Sequence, residues 1–126
     1  MTTALGLTQE EMETYRAAAR RRQEQEQHEL AHREKRAWEL ARRAAALLRE
    51  RFGASRVVVF GSLVHEGCFS PWSDVDIAAW GIRPEDTFRA IGVVMDIDAE
   101  IELNLVDVDT CSASLLVVIE REGVEL

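Results

Sequence analysis

The apolar pattern changes character near Phe52. From Thr8 to Phe52 there is neither glycine nor proline. Trp38, Ala41, Ala45, Leu48 and Phe52 recur at three- and four-residue steps, with Leu40, Ala44 and Leu47 beside them, which is the stripe of a helix facing a core. Thr8 with Glu11 three residues later reads as a capping box, and Gly53 as the C-terminal stop. Good helix formers fill the segment, and Arg20/Glu24, Arg22/Glu26, Glu29/Arg33 and Glu39/Arg43 stand four apart. Between Arg20 and Glu29 no residue is apolar, so that stretch faces solvent or a partner. Two layouts fit. One is a continuous helix about 65 Å long at 1.5 Å per residue; the other is a helix broken near the polar stretch and folded back. Met12, Tyr15 and Ala19 form a small apolar group that can grip another chain, so self-association through this helix is one expectation.

After Gly53 the period shortens. Arg56–Phe60 reads as a continuous apolar strand, central and buried on both faces. Asp74–Trp80 alternates, with Asp74, Asp76, Ala78 and Trp80 on one face and Val75, Ile77 and Ala79 on the other. Pro84, followed by Glu85 and Asp86, opens a helix whose stripe is Phe88, Ile91, Gly92 and Met95. Glu100–Val108 reads as a third strand. A last helix runs from Ser112 or Ser114 to Glu122 and stops at Gly123. A short helical turn after Ser62 completes the set. The fold class predicted is α/β (α+β): a small mixed sheet flanked by helices and preceded by a long N-terminal helix. Residues 1–36 form a polar helical arm and 37–126 the folded domain.

Charge sharpens this division. Residues 1–52 carry 11 Arg and Lys against 9 Asp and Glu, whereas 53–126 carry 4 against 14. An acidic second half argues against a nucleic-acid-binding surface and suits recruitment of divalent cations. Cys68 and Cys111 match no metal or redox spacing and read as two buried free thiols. No apolar run approaches the ~20 residues of a membrane span. Met1–Leu7 has no basic n-region and no long apolar core, so no signal peptide is expected and the expected compartment is the cytoplasm.

The candidate chemistry lies at one place. Gly61-Ser62 leaves the apolar strand, and eleven residues later comes Asp74-Val75-Asp76. Gly61 lets the backbone approach a phosphate because it has no Cβ, and Ser62 can donate its hydroxyl. Asp74 and Asp76, one residue apart on a strand, point to the same face and are hard oxygen ligands suited to Mg²⁺. Together these parts suit a metal-bound nucleoside triphosphate.

Val59-Phe60-Gly61-Ser62, Phe69-Ser70-Pro71, Ser73-Asp74-Val75-Asp76-Ile77 and Gly81-Ile82 resemble the minimal nucleotidyltransferase family, within the superfamily of DNA polymerase beta and the antibiotic nucleotidyltransferases. The tail, Asn104-Leu105-Val106-Asp107 through Ile119-Glu120-Arg121-Glu122-Gly123-Val124, resembles that family's closing strand and helix. The resemblance spans about residues 37–126 and leaves out the arm. It implies a nucleotidyltransferase fold with Mg²⁺ (or Mn²⁺) as cofactor and ATP as substrate. Gly61 and Ser62 would hold the phosphates, and Asp74 and Asp76 the metal. It also implies a HEPN-type toxin as protein partner, with this chain as an antitoxin that transfers AMP to it. The family's third carboxylate falls here on Asn104, a neutral amide that is no base. Glu102, two residues earlier on the same strand face, is the candidate to replace it as metal ligand and catalytic group. If neither serves, the chain is a degenerate module that binds its partner and inhibits it by contact. The short core leaves the acceptor site to the acceptor protein itself or to a second subunit.

Four further features have plainer readings. His28-Glu29-Leu30-Ala31-His32 matches the zinc-protease pattern, but its neighbours are polar and no cleft surrounds it, so a solvated helix face is expected. The basic run Arg20-Arg21-Arg22 reads as a solvated helix surface, with contact to an acidic partner or RNA as the alternative. Trp72 and Trp80 lie near the candidate site, and Trp80 either flanks a nucleobase or packs in the core. Arg83 either pairs with a triphosphate or lies exposed.

Overall fold

The computed structural model describes residues 6–126; the remainder of the N-terminal reading, residues 1–5, lies outside them. These residues divide into two compact units, one ending at His32 and the other running Arg33–Leu126.

Helix α1 runs without a break over Gln9–Phe52, so the continuous layout holds. Its start is the predicted cap: the Thr8 hydroxyl accepts from the Glu11 N–H at 3.1 Å. Its end is also as expected. Gly53 takes φ +69°, and the Ala54 N–H folds back onto the Leu48 carbonyl at 3.1 Å. The four expected charge pairs do not close. Within the helix the pair that forms is Arg36–Glu39 at 3.7 Å, and Gln25 donates to Glu29 at 3.3 Å. Exposed long side chains gain too little from pairing to be held in one geometry. In the first unit every residue from Arg20 to Glu29 is exposed.

The second unit is built on a four-stranded sheet in the order β3-β2-β1-β4, from β1 (Arg56–Phe60), β2 (Val75–Trp80), β3 (Leu103–Asp107) and β4 (Val124–Glu125). β1 pairs antiparallel with β2 and β4, and β2 pairs parallel with β3. The sheet is therefore mixed, and α2 (Thr87–Met95) is the crossover that a parallel pair requires. One face carries Val58, Phe60 and Ala78 under Val108 and Ile119, the last from helix α3 (Ala113–Glu122), with Trp80, Leu115 and Leu116 at the margin. The other face carries Val57, Val59, Val75, Ile77 and Ala79, all fully buried. It is left for the Ala37–Phe52 stripe of α1 and for Ala90 and Val94 of α2. β1 is thus central and covered on both sides, as its continuous apolar run predicted.

Four local expectations need correction. The buried positions of α2 are Ala90 and Val94, while Phe88 is 88% exposed and Met95 is exposed. Two stripes one residue apart share the same spacing. Contact with β3, fixed by the Thr87 hydroxyl donating to Asp107 at 2.7 Å, selects the one with smaller side chains. β3 starts at Leu103 rather than Glu100, because the Asp98 carboxylate takes the N–H groups of Glu100 and Ile101 at 3.1 and 2.9 Å. The edge strand β4 was not foreseen: two residues carry no period. Cys68 is exposed and Cys111 half-buried, so neither is the buried thiol expected. By contrast the last helix begins as read, with the Ser112 hydroxyl accepting from the Leu115 N–H at 3.2 Å. No helix among the described residues is long and apolar enough to cross a membrane.

Candidate functional site

The register of the sheet brings the Gly-Ser turn and the aspartates together. Phe60 stands opposite Asp76 across β1 and β2, so Gly61, the next residue, leaves the sheet beside that carboxylate. Gly61 has φ +80° and opens a single 3-10 turn, Gly61–Val64. A Cβ at Gly61 would collide with Oδ2 of Asp76 and lie 3.3 Å from its Cγ. Glycine is required here twice over, by the left-handed backbone and by the carboxylate that fills the space.

On the other side of β2, Asn104 stands in register with Asp76. Its amide Nδ2 donates to Oδ2 of Asp74 at 3.4 Å. Asp74 lies one residue before the strand and Asp76 within it, both half-buried. The Asp76 carboxyl is pushed above the ordinary carboxylate value. Burial is the main cause; the Asn104 amide offsets part of it, and the Asp74 charge adds to it. Two carboxylates and an amide thus share one corner, and the negative charge there is under-compensated.

Residues 57–82 contain no Arg or Lys. Arg33, from α1, reaches the turn that leads into Asp74. Its Nη2 donates to the Ser73 carbonyl at 3.4 Å, its guanidinium lies 5.9 Å from the centre of the buried Phe69 ring, and its Nε is buried with no partner. Ser70 and Ser73 close the same turn. The Ser70 N–H donates to the Ser73 hydroxyl at 2.9 Å, the two hydroxyls are 2.9 Å apart, and the Ser73 N–H donates to the Ser70 carbonyl at 3.1 Å. Asp74 is therefore presented by a turn tied internally and tied to α1. Sequence reasoning missed Arg33, placing it on a solvated face. The one available signal was its position four residues before Ala37, on the rim of the buried stripe.

Glu102 borders this corner, and the other candidates fall elsewhere. Glu102 is exposed, just ahead of β3, and its carbonyl accepts from the Val75 N–H at 2.9 Å. Trp80 is at the opposite end of β2, with Arg56 stacked 4.2 Å from its ring centre, and belongs to the packing under α3. Arg83 pairs with Glu85 at 3.6 Å and Asp86 at 3.1 Å, at that same far end. His28 and His32 are exposed. Among the described residues no three His, Cys, Asp or Glu side chains gather where a metal could sit.

The donor set fits one Mg²⁺ held with a nucleotide. That ion takes one or two protein carboxylates and completes its shell with phosphate oxygens and water. Asp74 and Asp76 supply that number, and a cation would relieve the strain on the Asp76 carboxyl. A site that relies on three protein carboxylates does not fit. No protein-family model matches the chain, and no curated protein matches it significantly.

Proposed function

We propose that this chain is a Mg²⁺-dependent nucleotidyltransferase of the minimal type, moving AMP from ATP to a hydroxyl group on a protein partner. We propose further that the partner is a HEPN-type toxin and the chain its antitoxin. One observation carries the reading: Gly61 is pressed against the Asp76 carboxylate, so the Gly-Ser turn and the Asp-x-Asp pair form one corner. The toxin partner rests on the sequence resemblance alone.

In this reading the backbone at Gly61-Ser62 and the Ser62 hydroxyl hold the triphosphate. Asp74 and Asp76 hold the magnesium, which when bound neutralises charge developing on the phosphate oxygens. The acceptor oxygen bonds to the α-phosphorus, the bond from that phosphorus to the bridging oxygen breaks, and pyrophosphate leaves. The acceptor's proton must go to a base. Asn104 takes none, so Glu102 is the carboxylate assigned that role.

The test uses α-labelled ATP, Mg²⁺ and the purified chain with lysate of the source cell, beside Asp74→Asn/Asp76→Asn. A band labelled only by the unmutated chain supports transfer and yields the acceptor. Glu102→Gln compared with Asn104→Ala then tests the base: if Glu102→Gln turns over normally, the assignment is wrong. A second reading draws on Asn104 itself, which puts an amide beside Asp76. There the chain binds its partner and inhibits by contact. Neutralisation that survives Asp74→Asn/Asp76→Asn would favour it, as would neutralisation lost on removing residues 1–34.

A further inference from the structure

Trp72 is 86% exposed, two residues before Asp74, while its backbone is held in a hydrogen-bonded turn. The Trp72 N–H donates to the Ser70 hydroxyl at 3.2 Å, and that hydroxyl is also 2.9 Å from the Ser73 hydroxyl. Phe69 at the start of the turn is buried, and Arg33 ties its end at Ser73. A loop held this firmly keeps a large indole in water, although the sheet has apolar faces on which such a ring would normally be spent. The other two tryptophans are used that way: Trp80 packs under α3 with Arg56 against it, and Trp38 is half-buried with Arg42 beside it. Of the aromatic rings in Arg33–Leu126, Phe88 is the other strongly exposed one. It stands at the start of α2, beside the Asp107 end of the sheet, away from the aspartate corner.

We infer that Trp72 is the stacking platform for the nucleobase of the bound nucleotide, with Arg33 and the two serines as the residues that position it. The inference rests on the nucleotidyltransferase reading and adds what that reading lacks, a protein surface for the base. An indole presents a flat π-face without hydrogen-bond readout, so the platform accepts any base and favours purines, which overlap it most. The phosphates and metal are held by other groups. Base and triphosphate contacts are therefore separable by experiment.

The measurement is calorimetric titration with Mg²⁺ and two probes, inorganic tripolyphosphate and an ATP analogue whose α,β-bridge resists cleavage. It is made on the unmutated chain, Trp72→Ala, Trp72→Phe and Phe88→Ala. Stacking of one base on an aromatic ring is lost on alanine substitution as roughly a tenfold weakening or more. Trp72→Ala is expected to weaken the ATP analogue by about that factor and leave tripolyphosphate unchanged. Trp72→Phe should keep most of the affinity, and Phe88→Ala should alter neither probe. Equal binding of the ATP analogue to Trp72→Ala and the unmutated chain overturns the inference and leaves the nucleotidyltransferase reading standing. Equal weakening of both probes also overturns it, since Trp72 would then only shape the turn. If the unmutated chain binds neither probe, both fall together.

Discussion

Replacing Gly61 by alanine tests whether the Gly-Ser turn and the two aspartates form one corner. Two costs arise there. A side chain at φ +80° costs about 1–2 kcal/mol in the left-handed region. The added Cβ also lands on Oδ2 of Asp76, forcing that side chain off its preferred rotamer at about 0.5–1.5 kcal/mol. Gly53 isolates the first cost, because it has φ +69° and nothing within 4 Å of an added Cβ. Gly53→Ala should therefore destabilise by about 1–2 kcal/mol and Gly61→Ala by about 2–3 kcal/mol. For a domain of this size the second is a fall in Tm of roughly 6–15 °C. Asp76→Ala removes both Oδ2 and Cγ and leaves only Cβ, at an ordinary 3.5 Å. In that background Gly61→Ala should cost no more than Gly53→Ala does, a coupling of about 1 kcal/mol in a double-mutant cycle read by urea denaturation. A Gly61→Ala penalty that is the same with and without the Asp76 carboxylate would refute the reasoning, because the carboxylate would not be what fills the space.

Other expectations follow from the same geometry. Asp76→Asn should raise Tm at pH 7, since the folded carboxyl is held above its ordinary value and its charge opposes folding there. The gain should vanish as pH falls below the ordinary carboxylate value, where both states are protonated. Millimolar Mg²⁺ with ATP should raise the Tm of the unmutated chain and not that of Asp74→Asn/Asp76→Asn, read by differential scanning fluorimetry. Asp98→Ala should destabilise by about 1 kcal/mol at pH 7, having lost the caps on Glu100 and Ile101. The Asp98 carboxyl is lowered chiefly by the Ile101 N–H, so its contribution is present above the ordinary carboxylate value and is lost as pH falls through the lowered one. Arg33→Met should slow the proposed nucleotidyl transfer more than it lowers Tm, and Arg33→Lys should restore part of the rate, if the tie to Ser73 is what positions Asp74.

The sequence alone determined what local physics determines. Thr8, Gly53 and Ser112 set helix ends because each supplies a hydroxyl or a backbone freedom that its neighbours lack, whereas Gly123 stops α3 with an ordinary φ of −68° at a place where a Cβ would collide with Val58 and the Ile119 carbonyl. The unbroken run Val57–Phe60 marked the central strand because only a strand covered on both faces tolerates it. Gly61, Asp74 and Asp76 were legible as a chemical group from residue type and order. Tertiary structure decided the rest, where two local solutions were nearly equal or the partner was remote in sequence. The choice between two stripes on α2 was made by contact with β3. The two residues of β4 are a strand only because β1 has a free edge beside them. Arg33 reaches a carbonyl forty residues away, and no local rule reads such a pairing. Asn104 meets Asp74 only once parallel pairing fixes the register of β2 against β3. Periodicity shows which face a residue takes along its own strand; which residues then share a corner is set by how the strands lie beside one another.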